Sequence, residues 1–248
     1  MIDDVPLLEP NPAREAILEP SRMYRHRTDI ARAVLCFFPE VVGARCAGAP
    51  RIVEVPTENG PYPVFDLDGV LVMNPPIGAS MTAAALEMLI AVGVDRVIAC
   101  GGAGNLEVDH PVGHVVVPTA ALRDEGTSYH YLPPSRTVGA TPAAVEAIRA
   151  ELDARGEPYA VGLTWTTDAI FRETRERTSA RRAEGCLTVE MEAAALFAVA
   201  EFRGIAAGQI LYAGDDLTAD EWDHRDWSRQ LGVRERLFDL AIAAVQRL

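Results

Sequence analysis

Two carboxylates stand on either side of a methionine in the segment TVEMEAAALFAVAE, which spans residues 188–201. Side chains two residues apart share a face on an extended segment, whereas on a helix they point to nearly opposite sides. Glu190 and Glu192 can therefore serve one ligand together only if a strand ends there and a helix begins. A purely structural interpretation is also open, since acidic residues are stabilised at a helix N-terminus.

A second pair of acids follows the apolar segment GQILYAG, which spans residues 208–214. Asp215 and Asp216 come directly after this segment. A carboxylate at the end of a central strand is a common position for a general acid or base. Gly-Asp-Asp is also ordinary turn chemistry, so a simple turn is the alternative interpretation.

The elements that must position these acids alternate between strand and helix from about residue 50 onwards. The pattern predicts strands at 51–55, 64–73, 95–100, 113–122, 159–167 and 208–214, and helices at 80–93, 141–156 and 233–248. Such alternation predicts a single α/β domain over residues 1–248, with a twisted, mostly parallel or mixed central sheet flanked by helices. Because ligands of such sheets bind at the carboxyl ends of strands, the acids fall at candidate site positions.

Capping residues mark the ends of two of these helices. Ser80 is the predicted N-cap of the first helix and Gly93 its stop. Thr141 is the predicted N-cap of the second, and Gly156 ends it. The prolines at positions 6, 10, 12 and 20 predict that residues 1–20 form an extended arm.

The length, composition and net charge of the chain exclude several classes of protein. The chain has 248 residues, of which 49% are hydrophobic, so it can form a sizeable core. Its net charge of -13 disfavours nucleic acid and anionic membrane surfaces as partners. Its apolar runs are too short for a membrane span and its N-terminus is unlike a secretory signal. The sequence therefore predicts a cytoplasmic protein whose four cysteines are reduced and mostly buried.

The order of several segments resembles the family of nucleoside phosphorylases and nucleosidases related to uridine phosphorylase and hexameric purine nucleoside phosphorylase. The most specific part is E-M-E-A-A-A-L, followed about twenty residues later by a strand that ends in an Asp. The segments NPPIGASMTAAALEML, RVIACGGAGNLEVDHPVGHVVVPTAALRDEGTSYHYLPP and TTDAIF also resemble it. The resemblance covers about residue 68 to the C-terminus and implies an enzyme that cleaves the N-glycosidic bond of a nucleoside.

The resemblance also assigns roles to the acids. It implies that Glu192 holds two ribose hydroxyls while the sugar takes on oxocarbenium character, and that Met191 packs against the sugar face. Glu190 would lie near the edge of the base or the sugar. Asp215 would protonate the leaving base, as in purine-acting members, and Arg225 would assist through Asp215. The role of Asp216 stays open.

The resemblance further implies which residues contact the substrate elsewhere. Those expected to line the base are Thr166, Thr167, Ile170 and Phe171, with core packing as the alternative for Ile170. Tyr129 lies in a loop that reaches toward the sugar, with a solvated loop as the alternative. A gapless alignment places Thr174 and Glu176 where uridine-cleaving members have a Gln and an Arg. This difference favours a purine-like base over uracil.

The phosphate-binding residues of the family are largely missing. Only Pro39 is kept from the G-D-P-x-R turn, Ala99 stands at an arginine position, and Gly102 stands at a hydroxyl position within the predicted substrate site. Phosphate stays a possible co-substrate, held by a backbone nest at 101–104 or by one of three arginines. These arginines are Arg22, Arg25 and Arg27.

Three functions therefore remain open: phosphorolysis as the family default, hydrolysis with Glu40 as a weak candidate to hold water, and nucleoside binding without turnover. No other cofactor and no metal is expected, since Pro111 and Gly113 exclude the helix that would bring His110 and His114 to one face. The resemblance implies a homo-oligomer, either a dimer or a hexamer built from dimers.

Overall fold

A computed structural model describes residues 5–10, 13–24, 27–55, 60–219 and 221–248. Its strands are β1 (Arg32–Cys36), β2 (Arg51–Val55), β3 (Tyr62–Leu67), β4 (Val70–Met73), β5 (Arg96–Asn105), β6 (Val115–Asp124), β7 (Thr137–Gly139), β8 (Tyr159–Thr167), β9 (Cys186–Glu190) and β10 (Ala206–Asp216). Its α-helices are α1 (Pro20–Met23), α2 (Pro39–Arg45), α3 (Ala79–Val92), α4 (Pro142–Arg155), α5 (Arg175–Ala183), α6 (Ala193–Arg203) and α7 (Leu231–Gln246).

All ten strands belong to one mixed sheet. Its order is β10-β6-β8-β9-β5-β1-β4-β3-β2, with β7 on β6. Strand β10 also pairs with β5, so that β5, β9, β8, β6 and β10 close into a ring. Five of the strand pairs are parallel and five are antiparallel. The predicted α/β class with a mixed central sheet flanked by helices is confirmed.

Helix α6 occupies the centre of the hydrophobic core. Every residue from Ala193 to Ala200 is buried. Five of these eight residues are alanines, and their small side chains let the helix pack closely against α3 and the sheet. On the sheet, Trp165 and Tyr212 are fully buried. The strand end before α6 is therefore held by a helix that is enclosed on all sides.

The predicted helix boundaries are confirmed for α4, which has Thr141 as N-cap, Pro142 at its first position and Gly156 as C-cap. The prediction for α3 is wrong at its start, because its N-cap is Gly78 and Ser80 lies inside the helix. Gly78 has a φ of 103°, a conformation that a serine side chain disfavours. Its stop at Gly93 is confirmed, with a φ of 125°.

The predicted strand at 95–100 is longer than expected. Strand β5 runs on through Gly101, Gly102 and Gly104 and pairs with β10 and β9 there. None of these glycines has a positive φ. The turn that a backbone anion nest requires does not form at 101–104, so this part of the phosphate hypothesis is wrong.

The four cysteines lie inside the protein, as expected. Each one is buried, and none forms a disulfide. Of the predicted arm, residues 1–4 and 11–12 lie outside the described residues. The described part lies on the surface, where Arg14 stacks on the ring of Phe202 at 4.8 Å. In the parts of the chain that the structure describes, no helix is both long enough and apolar enough to cross a membrane.

A prediction follows from the glycine that ends α3. A Cβ at Gly93 would lie 2.8 Å from the carbonyl oxygen of Thr28, and its φ of 125° is one that other residues rarely adopt. Gly93→Ala should therefore lower the free energy of unfolding by more than about 1 kcal/mol in denaturant titrations. The matched control is Gly43→Ala inside α2, where nothing lies within 4 Å. That control should stabilise the protein by about 0.5–1 kcal/mol, and equal effects of the two variants would contradict the interpretation.

Candidate active site

A cavity of about 640 Å³ opens beside the glycine-rich segment of β5, next to the ends of β1 and β9. Its walls are formed by residues 37–40 after β1, the glycines 101, 102 and 104 of β5, residues 189–192 at the end of β9, and Asp215 in β10. A Cβ at Gly104 would lie 2.6 Å from Leu217 and 2.8 Å from Val189, which are also wall residues, so these parts of the wall can approach each other only because the side chain is missing. Two features therefore form the cavity: the ends of β1 and β9, and the absence of side chains on the glycines of β5.

Glu190 and Glu192 both line this cavity. Strand β9 ends at Glu190, and helix α6 begins at Ala193 with Glu192 as its N-cap residue. The sequence prediction of a strand that turns directly into a helix is confirmed. The two carboxyl groups consequently face one space instead of opposite sides of a helix.

Glu190 is nearly saturated with hydrogen bonds from the protein. Its Oε2 accepts from the backbone N–H groups of Glu192 at 2.7 Å and Ala193 at 2.6 Å, and its Oε1 accepts from the Thr166 hydroxyl at 2.6 Å. The Thr166 oxygen accepts in turn from the N–H of Ala194 at 3.0 Å. Glu190 and Thr166 thus satisfy N–H groups that the start of α6 leaves without partners.

Burial, and secondarily the neighbouring charge of Glu192, raises the pKa of Glu190 to about 8, although these hydrogen bonds act to lower it. Burial also raises the pKa of Glu192. Glu192 accepts from the N–H of Gly78 at 2.7 Å and from that of Met191 at 3.2 Å. The glycine turn before α3 therefore positions the carboxyl group that the sequence resemblance assigns to the sugar.

Asp215 lies across the same cavity, near the end of β10. Its Oδ2 accepts a hydrogen bond from the indole N–H of Trp222 at 2.7 Å. The side chains of Glu192 and Asp215, which are separated by 22 residues in the chain, therefore meet at one cavity. This arrangement leaves Oδ1 of Asp215 available to a ligand.

Asp216 and Arg225 form a separate pair outside the cavity walls. Arg225 binds the carboxylate of Asp216 and also donates to the carbonyl oxygen of His110 at 2.9 Å. Asn105 approaches Asp216 from β5. The structure thus does not bring Arg225 to Asp215. The prediction that Arg225 assists proton transfer through Asp215 is therefore wrong. Asp215 lines the cavity and Asp216 lies outside its walls, so the two neighbouring acids have different surroundings.

The predicted base-lining residues are only partly brought together. Ile170 lines the cavity, but Phe171 is 92% exposed and lies outside its walls, because a 3₁₀ turn over Ile170–Arg172 directs it outward. The hydroxyl of Thr167 accepts from the N–H of Ala169, so it is used within its own turn. Tyr129 also lies outside the walls, with its hydroxyl donating to the carbonyl oxygen of Arg123 at 3.0 Å.

The gapless alignment beyond this turn does not describe the cavity. Thr174 is the N-cap of α5 and accepts from the N–H of Arg177, while Glu176 lies in the exposed first turn of that helix. Glu173 lines the cavity instead. The 3₁₀ turn over Ile170–Arg172 changes which of the following residues points inward. An alignment without gaps cannot detect such a change.

Arg234 is the most informative residue that sequence analysis missed. It projects from α7 into the cavity, is 8% exposed, and donates to Glu40 at 2.5 Å. The rings of Phe38 and Trp227 lie 5.2 Å and 5.6 Å from its guanidinium carbon. The available signal was an arginine on the apolar stripe of the C-terminal helix, since a buried arginine needs a specific partner.

The cavity walls carry an excess of acid. Five carboxyl groups line it, and among the described residues Arg234 is the only cationic side chain that does so. The carboxyl groups belong to Glu40, Glu173, Glu190, Glu192 and Asp215. Arg22, one of the arginines considered for phosphate, pairs with Glu15 away from the cavity, and Arg25 lies outside the described residues. Arg27 is not among the residues that line the cavity.

Possible metal ligands are not assembled in the parts of the chain that the structure describes: no three His, Cys, Asp or Glu side chains form a group that could hold an ion. The rings of His110 and His114 stack on each other at 4.3 Å. These two residues lie in and beside turns, and no helix presents them together.

Comparisons with known proteins identify relatives of this chain. The chain matches the family model of the phosphorylase superfamily over residues 32–245. It is 33% identical over 208 residues to the guanosine phosphorylase of Halorubrum lacusprofundi, an alignment that covers 79% of this chain and 85% of the relative. It is 27% identical over 203 residues to the uridine phosphorylase of Escherichia coli, covering 74% and 78%.

Solved structures show the same fold. The AMP nucleosidase from Bacteroides thetaiotaomicron superposes with a TM-score of 0.72 at 23% identity, over 87% of each chain. A uridine phosphorylase from Vibrio fischeri gives 0.71 at 22% identity, over 88% of this chain and 90% of that one. The match to the family model and to the guanosine phosphorylase confirms the resemblance identified in the sequence.

The buried Glu190 generates a prediction about pH. Its pKa of about 8 in the folded state exceeds its ordinary value of 4.5, so the folded protein keeps a proton that the unfolded chain releases. The free energy of unfolding should therefore fall as pH rises from about 5 to 9, by at most about 1.4 kcal/mol per pH unit. In Glu190→Gln this contribution should be absent.

Denaturant titrations across this pH range measure the slope directly. The matched control is Glu146→Gln on the exposed face of α4, which should keep the slope of the unmodified protein. Parallel curves for the unmodified protein and Glu190→Gln would contradict the assignment of a protonated, buried Glu190.

Proposed function

The chain belongs to the phosphorylase superfamily, and from its site we propose that it cleaves the N-glycosidic bond of a purine-type nucleoside. The single observation that carries the proposal is that Glu192 and Asp215 open onto one cavity. Its volume of about 640 Å³ lies within the range of small-molecule sites. A purine in preference to uracil is supported by the guanosine phosphorylase among its relatives.

The proposed mechanism divides the work between the two acids. Glu192 accepts hydrogen bonds from two ribose hydroxyls and holds the sugar while positive charge develops at its anomeric carbon. Met191 packs against the sugar face. Asp215 donates a proton, or a hydrogen bond, to a ring nitrogen of the departing base through its free oxygen. The indole of Trp222 holds the other oxygen and so fixes the orientation of the carboxyl group.

Glu190 has a supporting role in this proposal. Its two oxygens already accept three hydrogen bonds, from Thr166 and from the first N–H groups after the strand. It therefore positions the β9–α6 junction and keeps Glu192 directed into the cavity. Substrate contact by Glu190 would require breaking one of these bonds.

Two acceptors for the sugar are supported by different observations. Phosphate is supported by the phosphorylases among the sequence relatives, and Arg234 is the cation available to hold it. Water is supported by the excess of carboxyl groups in the walls, which repels a dianion, and by Glu40, which lies in the cavity with its carboxylate oriented by Arg234. Phosphorolysis is the first candidate and hydrolysis the second.

Self-association is also proposed. Exposed apolar side chains near the cavity mouth and on the arm, including Phe171 at 92% and Ile17 at 103% exposure, are suited to burial against another copy. Homo-oligomers, dimers or hexamers, would cover them. No other cofactor is required by this mechanism.

Incubation of the purified protein with a panel of nucleosides, with and without phosphate, tests the reaction and its acceptor. We expect free purine base together with sugar 1-phosphate when phosphate is present. Free base formed at the same rate without phosphate would establish hydrolysis instead. Tight binding with no product from any nucleoside would contradict the proposed reaction and identify a binding protein.

The role of Asp215 is tested by Asp215→Asn. Because the amide cannot protonate a leaving base, kcat should fall about 10²–10⁴-fold while KM changes little. The neighbouring variant Asp216→Asn breaks the pair with Arg225 and should lower Tm with a much smaller loss of kcat. An equal loss of kcat in both variants, or a loss confined to KM, would remove the role assigned to Asp215.

A further inference from the structure

The indole of Trp222 is exposed to solvent and yet holds the carboxyl group of Asp215. Its N–H donates to Oδ2 of Asp215 at 2.7 Å, although the residue is 63% exposed. An exposed side chain samples several rotamers unless its neighbours restrict it. The hydrogen bond can therefore orient Asp215 only if another group holds the indole in place.

His224 is the residue that restricts Trp222. The centroid of its imidazole lies 5.3 Å from that of the Trp222 ring, at an interplanar angle of 87°. The same imidazole lies 6.1 Å from the ring of Trp227, at an angle of 46°. Aromatic rings attract each other in such tilted and edge-to-face arrangements at these separations. His224 therefore bridges two tryptophans, both of which line the cavity.

Trp227 is the fixed end of this bridge. Its carbonyl oxygen accepts a hydrogen bond at 2.8 Å from the hydroxyl of Tyr212, which is fully buried. Its side chain packs against Gly214, where an added Cβ would lie 3.3 Å from the Cβ of Trp227. Tyr212 and Gly214 both belong to β10. Trp227 is thereby attached to the strand that carries Asp215 near its end.

The backbone between the two tryptophans brings the three rings together. The N–H of Asp216 donates to the carbonyl oxygen of Asp223 at 2.8 Å, and the N–H of Asp223 donates back at 3.2 Å. Arg225 and Asp226 follow with φ values of 49° and 46°, a left-handed conformation that is uncommon outside glycine. The chain therefore reverses directly after His224, and this turn holds its ring between the two indoles.

We infer that His224 is a positioning residue, which transmits the fixed location of Trp227 to Trp222 and so orients the carboxyl group of Asp215. The inference rests on the proposed function and adds a residue to its machinery. His224 itself lies outside the cavity walls, so its effect passes through Trp222. Without its ring the indole is free to rotate, and Asp215 then loses the donor that orients it.

The indole also determines which oxygen of Asp215 carries the proton. An indole N–H only donates, so Oδ2 must accept and the transferable proton resides on Oδ1. With Trp222 displaced, either oxygen can carry the proton, and part of the enzyme presents the wrong one to the base. Loss of the His224 ring should therefore affect turnover more than binding of the substrate.

Substitutions of His224 test this role. His224→Ala should lower kcat about tenfold with little change in KM. His224→Phe keeps an aromatic ring between the indoles and should keep kcat within about threefold of the unmodified protein. In a Trp222→Phe background, which already lacks the N–H, His224→Ala should cause almost no further loss. Losses that add up in the double variant would overturn the inference. The control is Arg229→Ala in the same segment, whose side chain is 82% exposed, and it should leave kcat unchanged.

Quenching of tryptophan fluorescence by acrylamide gives a readout that does not depend on turnover. Trp165 is fully buried, so quenching reports on Trp222 and Trp227. It should increase in His224→Ala and stay near the unmodified value in His224→Phe. Equal quenching in all three proteins would overturn the inference, whichever nucleosides are cleaved. Increased quenching in His224→Ala, together with no cleavage by the unmodified protein, would overturn the proposed function alone.

Discussion

The structure of the site depends on the junction between β9 and α6. A buried helix leaves its first N–H groups without partners, and Glu190 and Thr166 accept them from the end of the sheet. Two acids can then stand on either side of Met191 and face one cavity. Burial of this junction holds the geometry, and the same burial raises the pKa values of Glu190 and Glu192. Rigidity and perturbed acidity therefore have a common origin.

Closure of the sheet into a ring brings Asp215 to the cavity that the β9–α6 junction lines. Strand β10 runs parallel to β5 and β9 runs antiparallel to it, and both pair with the last residues of β5, so Asp215 and the end of β9 flank the same segment of that strand. The glycines of β5 allow the backbone of one strand to pass close to side chains of the next, as at Gly104 beside Leu217 and Val189. The cavity lies between these elements, and its walls contain carboxyl groups from several of them.

The excess of acid in these walls separates the carboxyl groups by function. Glu190, Glu192 and Asp215 are oriented by backbone or indole N–H groups, whereas among the described residues no hydrogen bond or ion pair engages the side chain of Glu173. Arg234 is the single described cation among them and is held by Glu40 and by two aromatic rings. An acceptor anion would have to bind against this field, and Arg234 is the described cationic side chain in the walls that could offset it.

The sequence by itself determined the class of fold and the family, and it predicted that Glu192 and Asp215 meet at one site, because alternating apolar segments, helix caps and the E-M-E motif are local features of the chain. Only the tertiary structure decided that Asp216 turns to Arg225, that Phe171 points outward, and that Arg234 and Glu173 enter the cavity. Each of these depends on how a turn or a distant helix is oriented against the sheet. Such orientations result from contacts between residues far apart in the chain, and no local pattern encodes them.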